Sequence, residues 1–250
     1  MFKLFQFWKW VLLTHISRNE SIDNNPETDV IIATYNTRRL KNINSLVRSV
    51  LKCNFVKHLV VTNNNPDIHI EDQVTIKDNR LDLVNQPVRR WPGYRWHIAS
   101  NSQAEYFIII DDDFLILPGQ LKILLQHLIH EPDIAHGITG HLNGKYYQNR
   151  EMEVVVLNQI YAVTKKHVNR YFEITGAIKQ NYPEVFPLIE KCADDFIISK
   201  SGNSNPKIHN VGQLTRCQTA RAPSIAVHLG TDFRRERQKV VNSFKTILQK

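Results

Sequence analysis

The sequence predicts an α/β fold: one domain with a mostly parallel central sheet flanked by helices. Three observations predict it. Compact apolar runs recur at 29–34 (DVIIAT), 58–62 (HLVVT) and 106–110 (YFIII), which read as buried strands. Between the first two lie Leu40, Ile43, Leu46, Val47, Val50 and Leu51, at the spacing of one helix face. The order strand, helix, strand makes a βαβ unit, whose two strands run parallel.

The elements follow in chain order. Residues 2–16 are rich in large apolar side chains but too short to span a bilayer, and Lys3 and Lys9 interrupt them. No small-residue cleavage site follows. Three readings stay open there: a helix packed on the domain, a peripheral membrane contact made by aromatic and basic residues, or a short signal anchor. Residues 18–28 are polar and read as a linker, so the domain is expected over 29–250. A third strand is expected at 74–77. Pro92-Gly93 opens a helix over 94–102, and Pro118 starts another that runs to His130. Residues 154–157 and 160–163 read as a hairpin across Asn158-Gln159. Helices are expected at 166–174, 193–199 and 234–248, and a loop at 201–205.

Composition removes several classes. With 250 residues, 42% hydrophobic and 22% charged, the chain is globular rather than disordered. A chain this long buries roughly 70–75% of its unfolded surface and needs no covalent staple. Lys and Arg number 32 against 24 Asp and Glu, a net charge of +8 that suits an anionic partner. The basic residues are spread out and match no RNA- or DNA-binding signature, so no nucleic-acid partner is expected. Three widely spaced cysteines without a C-x-x-C pair predict no structural zinc site and suit a reducing, cytoplasmic setting.

The strongest chemical signal is Asp111-Asp112-Asp113, directly after the 106–110 strand. Three adjacent carboxylates are costly unless a cation compensates them. In open α/β sheets ligands sit at the carboxyl ends of strands. Asp111 and Asp113 lie on one side of an extended chain, so they can share a divalent ion, Mn²⁺ or Mg²⁺, bound to a nucleotide diphosphate. The plain alternative is a solvated acidic turn before the Pro118 helix.

Taken with the segments around Thr34 and Asn63, this motif resembles a GT-A glycosyltransferase, and within that group the exostosin-like glycosyltransferase domain, over about residues 29–244. The resemblance implies a UDP-sugar donor, since the family's T-Y-N-R loop holds the base and ribose of UDP. Here that loop is Thr34-Tyr35-Asn36-Thr37-Arg38, with one extra Thr. Asn63 and Asn64 match the family's V-V-W-N-N, which lines the nucleotide. Arg95, 16 residues before Asp111, matches an Arg that faces the sugar nucleotide. Thr34, Asn36, Arg38, Asn63, Asn64, Arg95, Asp111 and Asp112 are thus the expected donor-binding residues.

Asp194-Asp195, after Cys192, matches the family's C-[ED]-D, whose second Asp lies near the reacting sugar. Arg237, in the 237–244 run RQKVVNSF, matches an Arg that contacts the diphosphate and donor sugar. Asp195 and Arg237 are the expected catalytic residues; Asp194 and Asp195 also suit a helix N-terminus. Asp111, Asp113 and His228 are the expected metal ligands. Two departures stand out: Val240 replaces the family's helix Cys, leaving Cys192 without that disulfide partner, and Phe233 replaces a His.

The function expected is metal-dependent transfer of a sugar, an N-acetylhexosamine by likeness, from a UDP-sugar to a glycan or glycolipid acceptor with retention of configuration. Residues 29–117 form the nucleotide-binding half and 118–250 the acceptor-side half. The rival readings are a sugar-phosphate nucleotidyltransferase, disfavoured by the lack of Gly in 31–39, and a catalytically silent nucleotide-sugar or anionic-surface binding module.

Overall fold

The computed structural model describes residues 2–217 and 232–248. Strand β1 (Thr28–Thr34) lies at the centre of the sheet's first half, between β2 (Val56–Asn63) and β4 (Tyr106–Asp111). Strand β3 (Leu81–Asn85) continues past β2, and all four run parallel. Two-residue β5 (Phe114–Leu115) follows β4. The second half of the sheet holds β6 (His136–Leu142), β7 (Lys145–Gln148), β8 (Met152–Glu153), β9 (Val156–Thr164) and β10 (Lys207–Ile208). The order across the sheet is β3-β2-β1-β4-β9-β6-β10-β8, with β7 on β6. Strands β1, β2, β3, β4, β6 and β10 point one way; β7, β8 and β9 oppose them. The sheet is therefore mostly parallel, in a mixed α/β domain. A separate ribbon pairs β5 with β11 (Thr215–Arg216).

Alternation along the strands explains the layers. On β1, Val30 and Ile32 enter one core while Ile31 enters the other. On β4, Ile108 and Ile110 join the first, and Phe107 and Ile109 the second. Period-2 side chains with both faces apolar demand helices on both sides. The first face carries α1 (Phe2–Ile16), α3 (Ile43–Leu51) and α5 (Pro118–His130), supplying Trp10, Leu46, Val50, Leu121 and Leu125. The second carries α4 (Arg95–Asn101), α6 (Lys165–Asn181), α7 (Phe186–Cys192), α8 (Asp194–Ser199) and α9 (Phe233–Leu248), with Trp96, Tyr171, Ile197 and Phe244.

Helix α1 buries Trp10 and Thr14, while Trp8, Leu12 and Ile16 face outward. It is packed on the domain, the first of the three readings. Among the described residues no helix is long and apolar enough to cross a membrane.

Several expected elements move. The helix after β1 is two pieces, α2 (Thr37–Leu40) and α3. Buried Asn42 separates them and donates from Nδ2 to the Asp112 carbonyl at 3.4 Å, so a polar anchor interrupts the apolar face. The third strand is not at 74–77 but at β3. Val74 is instead folded under a 3₁₀ turn by its N–H to the Ile70 carbonyl at 3.0 Å. Arg80 then ties the start of β3 to the Leu51 and Cys53 carbonyls at 2.6 and 3.1 Å. The hairpin at 154–163 is one strand, β9, held between β4 and β6. Gln159 does not reverse it but adopts φ +67° where the β6 register shifts. Strands β6 and β7 were not anticipated. Gly137 and Gly140 weaken the strand pattern, and they stand there because a Cβ at either would come within 2.7 Å of Leu157 or Val154.

Gly93 is the tightest helix-side contact near the carboxyl ends of the strands. A Cβ there would lie 2.6 Å from the Glu190 Cα and 2.9 Å from the Asp194 Cβ. Gly93→Ala is expected to lower unfolding free energy by about 1–3 kcal/mol through overpacking. Gly176→Ala, in α6 with open space around it, is expected to raise it by roughly 0.5–1 kcal/mol. Urea unfolding of the two variants checks both signs.

Candidate active site

The carboxyl ends of the parallel strands meet at one edge. Register pairs Thr34 with Asn63 and Ala33 with Asp111, so the ends of β1, β2 and β4 are level. The acidic triplet stands there, and its three members have different surroundings.

Asp112 turns inward. Thr34 donates its hydroxyl to Asp112 Oδ2 at 2.7 Å, and Arg39 donates from NH1 to Oδ1 at 2.8 Å. Both expected donor contacts, Thr34 and Asp112, are therefore engaged with each other. Arg39 also approaches Asp113 at 3.4 Å. Expected Arg38 is exposed, and its side chain makes no hydrogen bond or ion pair among the described residues. Asn36 explains the difference: its side chain accepts from the Arg38 N–H at 2.9 Å and caps α2. Helical geometry then swings Arg39, one residue later, toward the carboxylates. Arg39 was missed because two adjacent arginines look alike until the cap sets the helix phase.

Asn63 and Asn64 are both buried. Asn63 donates to the Asn65 and Ile68 carbonyls at 2.9 and 2.6 Å, and Asn64 to the Trp91 carbonyl at 3.4 Å. Their amides shape the loops rather than open onto the edge. The outward groups are Tyr35, 38% exposed, and Arg89, whose guanidinium lies 4.8 Å over Tyr35 and 4.7 Å over Trp91.

Arg95 is 3% exposed and bridges two segments far apart in sequence. It donates from NH1 to Asp111 at 2.6 Å and from Nε to Asp194 at 2.9 Å. Trp96 adds its indole N–H to Asp194 at 3.0 Å. Next along α8, Asp195 receives a two-pronged contact from Arg237 of α9, at 2.5 and 3.0 Å. Arg237 also donates to the Cys192 carbonyl at 2.6 Å. The structure thus brings together Asp111, Arg95, Asp195 and Arg237, which come from four distant segments. Phe233 lies 6.0 Å from the Arg237 guanidinium, in place of the His of the resembling family. Val240 and Cys192 are both buried, and all three cysteines are free. His228 lies outside the described residues.

Asp113 is the atom set left over. It is buried, and its Oδ1 has no hydrogen-bond partner among the described residues. Burial, then the neighbouring Asp111 charge, push its carboxyl up to about 7. Arg216 of β11 lies near enough for its charge to oppose that rise; the Cys217 N–H donates to the Asp113 carbonyl at 2.8 Å and holds that ribbon in place. Arg216 also donates to the Tyr146 hydroxyl, which in turn donates to Gln159 Oε1 at 3.0 Å. No sequence motif marks Arg216, because a two-residue strand carries no periodicity. Five carboxylates here face the guanidinium groups of Arg39, Arg95, Arg216 and Arg237, an excess of negative charge around a buried orphan oxygen. Hard divalent ions prefer such oxygen donors, so the residues fit Mn²⁺ or Mg²⁺.

Removing Arg39 leaves Asp112 buried and uncompensated. Arg39→Ala is expected to cost about 3–5 kcal/mol of stability, as for other broken buried pairs. Arg38→Ala is expected to change stability by less than about 0.5 kcal/mol. Thermal and urea unfolding of the two variants separates them.

Comparison with known proteins agrees with this geometry. The family model for glycosyl transferase family 2 matches residues 29–186, more than half of the chain. No curated protein matches by sequence. Among solved structures, a crystal structure of GalNAc-T7 with UDP, GalNAc and Mn²⁺ superposes with a TM-score of 0.61 at 10% identity. The match covers 88% of this chain and 48% of that one, so this chain spans about half the length of that neighbour. At that identity the likeness shows the shared GT-A fold. The match to residues 29–186, together with that fold, places the chain in glycosyl transferase family 2.

Proposed function

We propose that the protein transfers a sugar, an N-acetylhexosamine, from a UDP-sugar to a glycan or glycolipid acceptor, in a reaction that depends on Mn²⁺ or Mg²⁺. The observation that carries this reading is the buried, unpartnered Asp113 Oδ1 beside half-exposed Asp111 at the end of β4. The neighbour crystallised with UDP, GalNAc and Mn²⁺ supports the donor and the metal. The exostosin-like relation and the retaining outcome rest on the motifs.

Asp111 and Asp113 would hold the ion, which would supply positive charge to the departing diphosphate. Every other role belongs to the chain. Tyr35, Arg89 and Trp91 offer a flat cationic surface on which a nucleobase stacks. Arg95 holds Asp111 at the edge, and Arg216 and Arg237 add charge on the diphosphate and sugar sides. Asp195 fits donor or acceptor binding better than proton abstraction. Arg237 takes both of its oxygens, and the Phe196 N–H takes a further site on Oδ1 at 2.7 Å. That supports retention, in which the leaving phosphate takes the acceptor proton. Residues 29–117 would carry the nucleotide and 118–250 the acceptor. The outward Trp8, Leu12 and Ile16 of α1 support a peripheral membrane contact for an otherwise cytoplasmic protein.

The test is a panel of UDP-, GDP- and dTDP-sugars, with binding by calorimetry and UDP release, in Mn²⁺ or EDTA. Slow hydrolysis of a UDP-sugar in Mn²⁺ alone is expected. Binding without turnover would give the silent module instead, and no nucleotide binding with metal would overturn the reading. Asp113→Ala is expected to lower turnover by roughly 10²–10³-fold or more.

Asp113 also sets a pH dependence in metal-free protein. Its folded value of about 7 lies above the ordinary 3.8, so the folded state holds the proton more tightly. The stabilisation is complete below about pH 4 and is lost as pH rises toward 7. In EDTA, Asp113→Asn is expected to flatten that decline, as read from melting temperatures across the range.

A further inference from the structure

A second group of ligating side chains lies apart from the acidic edge. His136 of β6 pairs in register with Ala162, and Ala162 with Ile108, three residues before Asp111 on β4. Around it stand His127 of α5, Glu151 between β7 and β8, and His209 just after β10. One ligand atom each from His127, Glu151 and His209 lies within 4.8 Å of the others.

The hydrogen bonds leave a gap in charge. The Glu131 carbonyl can only accept, so His136 donates from Nε2 across 3.0 Å. Neutral His136 then accepts at Nδ1, and His209 must donate from Nε2 across 2.8 Å. Neutral His209 is left with a lone pair on Nδ1, facing a Glu151 carboxylate oxygen at 2.7 Å. Two acceptors at that distance are joined either by a proton on His209 or by a metal ion, and the nearby His127 supplies the third donor that a metal ion would use. The carboxylate is held in place, since its other oxygen accepts from the Asn210 N–H at 2.7 Å. The Glu131 side chain is not available, being paired with Lys207 at 2.7 Å.

We infer that His127, Glu151 and His209 bind a divalent transition metal ion of the zinc class, in a structural site separate from the acidic edge. Two imidazoles and a carboxylate are the donors such ions take. The relay from His209 through His136 to a backbone carbonyl is the outer support that fixes a ligating histidine's tautomer and ring plane. Zinc bonds of about 2.0–2.2 Å need Glu151 to draw back slightly. They also need His127 to turn out of its stack on His209, where the rings lie 3.6 Å apart at 12°. Both movable groups have room: Glu151 is exposed and His127 half-buried, while His209 is buried and fixed. The site joins α5, the β7–β8 connection and the exit of β10. From there residues 210–217 run to β11 beside Asp113, so the ion steadies the segment that carries Arg216. Spacing rules missed it because the three ligands come from segments 24 and 58 residues apart.

The test uses the full chain carrying Asp113→Asn, which removes the acidic edge from the metal count. Added Co²⁺ is expected to bind at one equivalent with the visible bands of a four-coordinate site, and Zn²⁺ to displace it and raise the melting temperature. His127→Ala and Glu151→Gln are each expected to weaken Zn²⁺ binding by at least about tenfold. These positions are partly exposed, so the variants keep the fold, as circular dichroism would verify. Zn²⁺ uptake by the folded Asp113→Asn chain no greater than by the same chain carrying both His127→Ala and Glu151→Gln would overturn the site. So would a His209 imidazolium seen by ¹⁵N NMR with Zn²⁺ present, which would make the cation a proton.

Discussion

The buried guanidinium of Arg95 is the constraint on which the site depends. A charge that deep is tolerated only when its donors are paired, and Asp111 and Asp194 pair them. That requirement sets much of the nearby structure. It places α8 against the start of α4, which in turn leaves no room for a side chain at Gly93. It enlists the Trp96 indole N–H as a further donor to Asp194. It joins β4, in the half matched to the family, to α8, which lies beyond the matched residues.

The acidic edge reads as a division of labour among like residues. Asp112 is a fastener: with Thr34, Arg39 and Asn42 it ties the loop after β1 to the end of β4. Asp194 is the counter-charge to Arg95, and Asp195 faces Arg237. Asp111 is shared between Arg95 and the open edge. Among these five, only Asp113 keeps a buried oxygen with no partner among the described residues, and burial together with the Asp111 charge raises its carboxyl pKa. The five carboxylates differ in role because their partners differ, which composition alone does not reveal.

Much of this was legible in the sequence because it is carried by periodicity and local order. The runs DVIIAT and YFIII became β1 and β4 within a residue or two, since strands buried on both faces leave little else for such runs to do. Asp111, Asp113, Arg95, Asp195 and Arg237 were singled out, and the fold gathers them. What was not legible depends on three-dimensional closure. Arg39 rather than Arg38 faces the carboxylates because a cap sets the phase of a one-turn helix. Asn63 and Asn64 stand at the expected strand end, yet their amides are engaged with loop carbonyls. Strand β6 was hidden by Gly137 and Gly140, whose reason is the packing of β9 against them. Arg216 and the His127–Glu151–His209 group are assembled from segments with no local signature.

The most direct measurement is a double-mutant cycle on unfolding free energy with Arg95→Met, Asp194→Asn and the combined variant. If the buried guanidinium is what couples the strand end to α8, each single change strands a charge or a donor, and the pair together costs less than the sum. A coupling energy of about 1–3 kcal/mol is the expected result. Additive losses, with no coupling beyond experimental error, would contradict the account: the contact would then be incidental, and the geometry of the acidic edge would need another support.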